Sequence, residues 1–320
     1  MKMNKTTTKL LQTIPVLILL AVPVVVTNNY VLNVLIMAGI WTLLASSLNI
    51  MIGLVGQLSM GHAAFYGIGA YISGLLSVRL GIPIWLGMPA AGLATTFLGY
   101  LIGKLTFRVR GSAFVLVTLG LGEVMRLVTN NWMSLTNGPL GLQGISPVKL
   151  FGVNFTYKYY YYFILLLVLL VSYIIWRIKN SRFGRAFIAM NENEPLANAV
   201  AIHSERFLVL AFMISTCIAG IAGSFYAHYV TFISPDLFLL SNTVTIVVMV
   251  IVGGKGTVLG PIVGAIIFTL LPEWLRAIDN YRMLIYGLIL MFSILFMKRG
   301  IVPSFARIIK KKRGALHEYS

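Results

Sequence analysis

The chain has 320 residues, 58% of them hydrophobic and only 10% charged, a balance that no water-soluble domain of this length could cover. A formal net charge of +17 would suit a nucleic-acid binder, but most of the 25 Lys and Arg residues flank apolar runs and they form no basic stripe interleaved with aromatics, so nucleic acid is excluded as a partner. The class that remains is an all-α polytopic membrane protein set in a lipid bilayer.

About ten apolar segments approach membrane length, at 10–27, 31–52, 62–79, 84–103, 112–132, 159–176, 207–229, 241–253, 258–275 and 283–297. The first follows Lys2, Lys5 and Lys9 as a signal peptide would, yet no small-x-small cleavage pattern comes after it, which predicts an uncleaved first span. The second runs into Gly53–Tyr71, GLVGQLSMGHAAFYGIGAY. There glycine permits either tight helix packing or a broken, re-entrant backbone, and the latter is tolerated at membrane depth only against protein or a water-lined cavity. Gly56, Gln57, Ser59, Gly61 and His62 are therefore expected to pack the bundle or to line a translocation path. The fifth span carries Glu123 and Arg126, two charges that cost roughly 5–7 kcal/mol near a span centre. Their i,i+3 spacing lets them pair, either structurally or as a gating or proton-linked site. Met133 to Pro147 reads as a Gly- and Pro-rich loop at the outer face, and Cys217, alone in an apolar span, as an inert buried thiol. Val252–Gly264, VGGKGTVLGPIVG, interrupts the eighth and ninth segments and adds Gly253, Gly254 and Gly256 to the path or packing set.

Ten spans would put both termini on one side, and that side then holds 19 of the 25 cations, which predicts that both termini, the basic tail 298–320 and the connection 177–206 are cytoplasmic. That connection, RIKNSRFGRAFIAMNENEPLANAVAIHSER, is the longest polar interruption and holds three of the eight acids. A turn between spans needs only a few residues. Here Asn193 can cap a short helix, Pro195 suits its first turn, and Leu196 with Val200 and Ala199 forms an apolar stripe that a partner's groove could receive.

Catalytic chemistry is missing from the pattern. Gly254-Lys255-Gly256-Thr257 lacks the upstream glycine of a phosphate-binding loop, and the four histidines do not cluster with acids as metal ligands would. The expectation is a transport protein with no catalytic residues, no metal and no cofactor of its own. A stand-alone channel or proton-linked carrier with Glu123 as titrating group is the competing reading.

Several segments, in order and spread from Asn33 to Arg299, resemble the LivM-type permease family of ABC importers for branched-chain amino acids: LNIMIGLVGQLSMGHAAFYGIGAY, VTLGLGEVMRL, SLTNGPLGLQGI, GRAFIAMNENEPLANAVAI and VIVGGKGTVLGPIVGAIIF. The resemblance implies one transmembrane permease domain over 1–320, in a bacterial or archaeal cytoplasmic membrane. It implies that 185–203 is a cytoplasmic coupling element docking on an ATPase subunit through Glu192, Glu194, Pro195, Leu196, Val200, Ala201 and Ile202. The family's acid falls on Glu194, its later glycine on Ala201, and its usual arginine on Asn191. The implied partners are a LivH-type sister permease, two ABC ATPase subunits that bind the ATP, and an extracytoplasmic binding protein. Close relatives carry urea or short amides, so the substrate class stays open between these and branched-chain amino acids.

Overall fold

The computed structural model describes residues 19–26, 28–107, 112–150, 152–274, 287, 291 and 300–304. The expected first span is described only from residue 19, where 19–25 are helical; of the expected tenth span, 283–297, only 287 and 291 are described, both helical, and most of the basic tail lies outside the described residues.

Among the described residues six helices are long and apolar enough to cross a membrane. They are α1 (Asn29–Asn49, prolonged by a π-helical stretch to Val55), α2 (His62–Leu80), α3 (Ile84–Thr106), α4 (Ser112–Asn131), α6 (Tyr157–Lys179) and α9 (Ser204–Val230). The short α5 (Met133–Thr136) follows α4, and α7 (Arg182–Glu192) and α8 (Glu194–Ala199) lie between α6 and α9. Two shorter apolar helices, α10 (Leu240–Gly253) and α11 (Leu259–Trp274), have 14 and 16 residues. At 1.5 Å per residue these reach only about 21 and 24 Å, short of a bilayer core of about 30 Å, because Gly253 to Gly260 interrupt what could have been one continuous run. The long spans overrun their expected ends by up to three residues, since Tyr157, Lys179, Lys104 and Glu205 continue the helix at headgroup depth.

α9 is the hub. It packs against α2 and α3, while α1 carries α6 on one side and α11 on the other. The α2–α9 crossing is backbone against backbone: a side chain on Gly69 would overlap the Gly220 carbonyl, and one on Gly223 the Tyr66 carbonyl. With no hydrophobic effect between helices in lipid, such close approach supplies the packing that holds them. Gly223→Ala is expected to force the helices apart at a cost of about 1–3 kcal/mol, read as a lower thermal midpoint in detergent with an unchanged span pattern. Beside this seam Phe65, Phe107, Phe114 and Phe212 form an aromatic cluster, with Phe65 and Phe212 edge-to-face at 5.2 Å and Phe107 stacked on Phe114 at 4.8 Å.

At the end where α2 finishes, the expected loop 133–147 is ordered. It holds α5, a 3₁₀ turn at Gly138–Leu140, and strand β1 (Leu142–Gln143), which pairs antiparallel with β4 (Phe232–Ile233) beyond α9. A second two-residue ladder joins β2 (Lys149–Leu150) to β3 (Val153–Asn154). Buried hydroxyls tie this cap to the bundle. His228 Nδ1 donates to the Ser146 carbonyl at 2.7 Å, which fixes the tautomer and leaves Nε2 to accept from Ser73 at 2.9 Å. Ser224 donates to Ser73, and Tyr160 donates to the His228 carbonyl. Cys217, expected to be buried, is half-buried, with its Sγ near Gly92 of α3.

Candidate functional site

The two glycine-rich segments, some 200 residues apart in sequence, meet. α1 does not stop at Asn49. It widens into a π-helical stretch, Ile50–Val55, and ends at Gly56, whose φ of 81° suits glycine. Residues 57–61 form no regular helix or strand before α2 begins at His62. Facing this break is the turn between α10 and α11, where Gly254 and Gly256 take positive φ. Asn49, only 1% exposed, joins them: its Oδ1 accepts from Gly256 N at 2.8 Å and its Nδ2 donates to the Thr257 carbonyl at 2.8 Å. Gly53 admits this approach, for a side chain there would collide with Asn49 and with Gly256 N. Thr257 closes its own turn, donating to the Gly254 carbonyl and accepting from Gly260 N.

The connection after α6 reaches the same place. Lys179, at the end of α6, donates to the Gly256 carbonyl at 2.7 Å. α7, capped by Ser181 through Gly184 N, buries Ala186, Phe187 and Met190 and sets Phe187 edge-on to Phe207 of α9. At its last turn Asn191 donates to the Gly53 carbonyl at 3.4 Å and covers Gly56, where any side chain would strike it. The chain then reverses at Asn193, whose side chain accepts from Leu196 N at 3.0 Å and starts α8, with Pro195 in its first turn. α8 buries Ala197 and presents Leu196, 63% exposed, and Val200, 66% exposed, outward. It closes through Ala201, in the left-handed region at φ 64°, and Ile202, whose N–H returns to the Ala197 carbonyl. A glycine would sit at Ala201 without strain; alanine there costs about 1–2 kcal/mol. Asn198 then accepts from both the backbone and the hydroxyl of Ser204, binding α8 to the first residue of α9. Glu192 and Ala199 are exposed, and Glu194 is half-buried in the first turn of α8.

The third contact on the break comes from α4. Thr118 accepts from Met60 N at 3.0 Å, and a side chain on Gly61 would meet the Thr118 carbonyl. His62 is fully buried, with Nε2 2.6 Å from the Ser47 hydroxyl, and Ser59 is fully buried beside it in the chain. The far side of α4 is uncovered: Leu116, Val124, Leu127 and Val128 are exposed, and so is the Glu123–Arg126 pair, with side chains 51% and 32% exposed. Arg126 donates to both carboxylate oxygens, through Nε at 3.1 and 3.0 Å and Nη2 at 2.6 Å. The expected pairing is present, but it faces out of this chain rather than into its packed interior.

The structure thus brings Gly53, Gly56, Gly61, Gly253, Gly254 and Gly256 into one cluster with the 177–206 connection, and leaves Glu123 and Arg126 outside it. Sequence reasoning passed over Asn49, Lys179, Thr118 and the cluster-facing role of Asn191. Asn49 did carry a signal, as an amide in the middle of an apolar run. Among the described residues no group of three or more His, Cys, Asp or Glu side chains could hold a metal ion.

Residues 30–294 match the family model for the branched-chain amino acid transport system permease component. The chain is similar to the high-affinity branched-chain amino acid transport system permease protein LivM of Escherichia coli K12, 31% identical over 86% of this chain and 71% of the relative. It is similar at 26% identity to the autoinducer 2 import system permease protein LsrC of Escherichia coli O9:H4, over 70% of this chain and 68% of the relative. It is 24% identical to the branched-chain permease protein LivH of Escherichia coli K12, over 82% of this chain and 91% of the relative. No solved structure matches it. The chain belongs to the branched-chain amino acid transport system permease component family, whose members are membrane subunits of ABC importers rather than enzymes.

Proposed function

We propose that this chain carries branched-chain or similarly apolar amino acids across a bacterial or archaeal cytoplasmic membrane, with α7–α8 as the element that receives the ATPase stroke. One observation carries this: the same 30-residue connection displays two apolar side chains outward, at Leu196 and Val200, and inward binds both backbone breaks, through Asn191 to Gly53 and Lys179 to Gly256. A displacement imposed on α8 therefore passes, through α7 and the end of α6, to the two places where the bundle is not continuous helix, which are its natural hinges. The charge bias supports a cytoplasmic position for this connection and for both termini. The similarity to LivM supports the substrate class, and the similarity to LivH supports a sister permease of the same fold; an extracytoplasmic binding protein and two ATPase subunits complete the machine.

The exposed face of α4 supports the sister-permease contact. A charge pair midway along an apolar helix is poorly solvated by lipid, and a second protein surface is the environment that stabilises it. Replacing Glu123 alone by Gln leaves Arg126 unpaired, whereas E123Q/R126Q removes both charges. The single variant is expected to lower the yield of the assembled permease pair several-fold and the double variant to recover most of it. Equal yields for both would rule out the α4 contact.

The function itself is tested in proteoliposomes holding the full complex, with binding protein and ATP on opposite faces. Uptake of leucine that requires ATP and survives Glu123→Gln in the assembled fraction supports the importer. Uptake by this chain alone, without ATP and abolished by Glu123→Gln, would replace it with a proton-linked carrier.

A further inference from the structure

α3 and α9 leave a cleft of about 520 Å³ between them, at the end of the bundle that carries α7 and α8. Its walls are Tyr100 and Lys104 from α3 and Glu205, Arg206, Val209, Leu210 and Met213 from α9. The lining is graded. Lys104 and Arg206 stand at the rim, and among the described residues neither forms an ion pair with a carboxylate; Lys104 lies 5.9 Å from the Tyr100 ring centre. From Arg206 to Met213 α9 rises about 10 Å, so the cleft runs from headgroup depth into the hydrocarbon layer.

The outer wall of α3 continues the apolar part. Leu93, Phe97, Tyr100 and Leu101 are exposed in a stripe that ends at Lys104. These positions recur every three or four residues, so they share one helix face, and that face is the one a lipid tail would lie along. Two cations above an apolar trough match one kind of molecule: a phosphodiester joined to an acyl chain. Glu205, also lining the cleft, opposes them in part. We propose that this cleft is a site for an anionic phospholipid, its phosphodiester held by Lys104 and Arg206 and its acyl chain laid over Leu210, Met213 and the α3 stripe. The lipid there would brace the first turn of α9, the segment to which Asn198 fastens α8.

The full chain, purified in mild detergent with the subunits that accompany it, would be exposed to phosphatidylglycerol and examined by native mass spectrometry. One lipid retained per chain is expected. Lys104→Gln/Arg206→Gln should lower its affinity about thirtyfold, each cation near the surface being worth about fivefold. Lys149→Gln/Lys158→Gln, which removes the same charge at the other end of the bundle, should leave retention unchanged. Met213→Trp, which fills the trough, should also lower it. Equal retention in the Lys104/Arg206 variant, or an equal loss in the Lys149/Lys158 variant, would overturn the site. So would displacement of the lipid by excess inorganic phosphate with Met213→Trp silent, which would mark a free-phosphate site instead.

Discussion

Asn49→Leu is expected to reduce ATP-driven uptake at least tenfold while ATP hydrolysis by the assembled complex continues. Leucine keeps asparagine's branched side chain of four heavy atoms, although its methyl groups are bulkier; what goes is the pair of 2.8 Å bonds to Gly256 N and the Thr257 carbonyl. Each leaves a backbone group unpaired where little water reaches, at about 1–3 kcal/mol apiece. The α10–α11 turn then no longer follows the break at 50–61, and α7, which grips the break through Asn191, moves one without the other. Lys179→Met removes only the bond to Gly256 and is expected to give a smaller loss of the same kind. The comparison that matters is uptake per ATP hydrolysed, measured in proteoliposomes at matched protein content. A variant that is merely misfolded loses both quantities together and disappears from the detergent extract. If Asn49→Leu kept wild-type uptake per ATP, the clamp would have no part in transport.

Where the chain crosses the membrane was legible because apolar runs of that length have no other stable use, and the helices at 62–80, 84–106 and 204–230 lie within a few residues of expectation. The start of α8 was equally legible: an Asn two residues before a Pro is a local capping signal, and Asn193 does accept from Leu196 N. The i,i+3 spacing of Glu123 and Arg126 was enough to pair them. What the sequence withheld were contacts made by side chains onto backbone far away in the chain. Asn49 and Thr257 are 208 positions apart, and a carbonyl leaves no mark in the residue that bears it. The glycines were visible as a texture, yet glycine is equally suited to a tight crossing, as at Gly69 and Gly223, and to a break, as at Gly56. Only the partner across the gap separates those uses. The direction in which Glu123 and Arg126 face was hidden for a related reason: an amphipathic pattern says that a face differs, not whether lipid, a second chain or the bundle interior meets it.

Leu196→Asp/Val200→Asp is expected to strip the ATPase subunits from the complex while leaving the permease in the membrane. Both side chains are about two-thirds exposed in this chain, and neither contributes to the core, which α8 reaches through Ala197 instead. Their removal therefore costs the fold little. Docking is another matter. Burying a Leu and a Val against a partner is worth roughly 1.5–3 kcal/mol each, so losing both weakens the contact by about 10² to 10⁴. A carboxylate placed in an apolar groove adds its own desolvation cost. The test is a pull-down on the tagged chain, with the ATPase subunits quantified by mass against the sister permease. Loss of the ATPases with the permease pair retained locates the contact on α8. Leu196→Met, which preserves the apolar surface, should keep them. The proposed order of the interactions explains why this variant and Asn49→Leu should fail differently. If the ATPase docks on α8, that helix lies between the partner and the breaks, so damage on its outer face should remove the ATPase and its turnover together, whereas damage behind it should leave an ATPase that is bound, turning over and moving nothing.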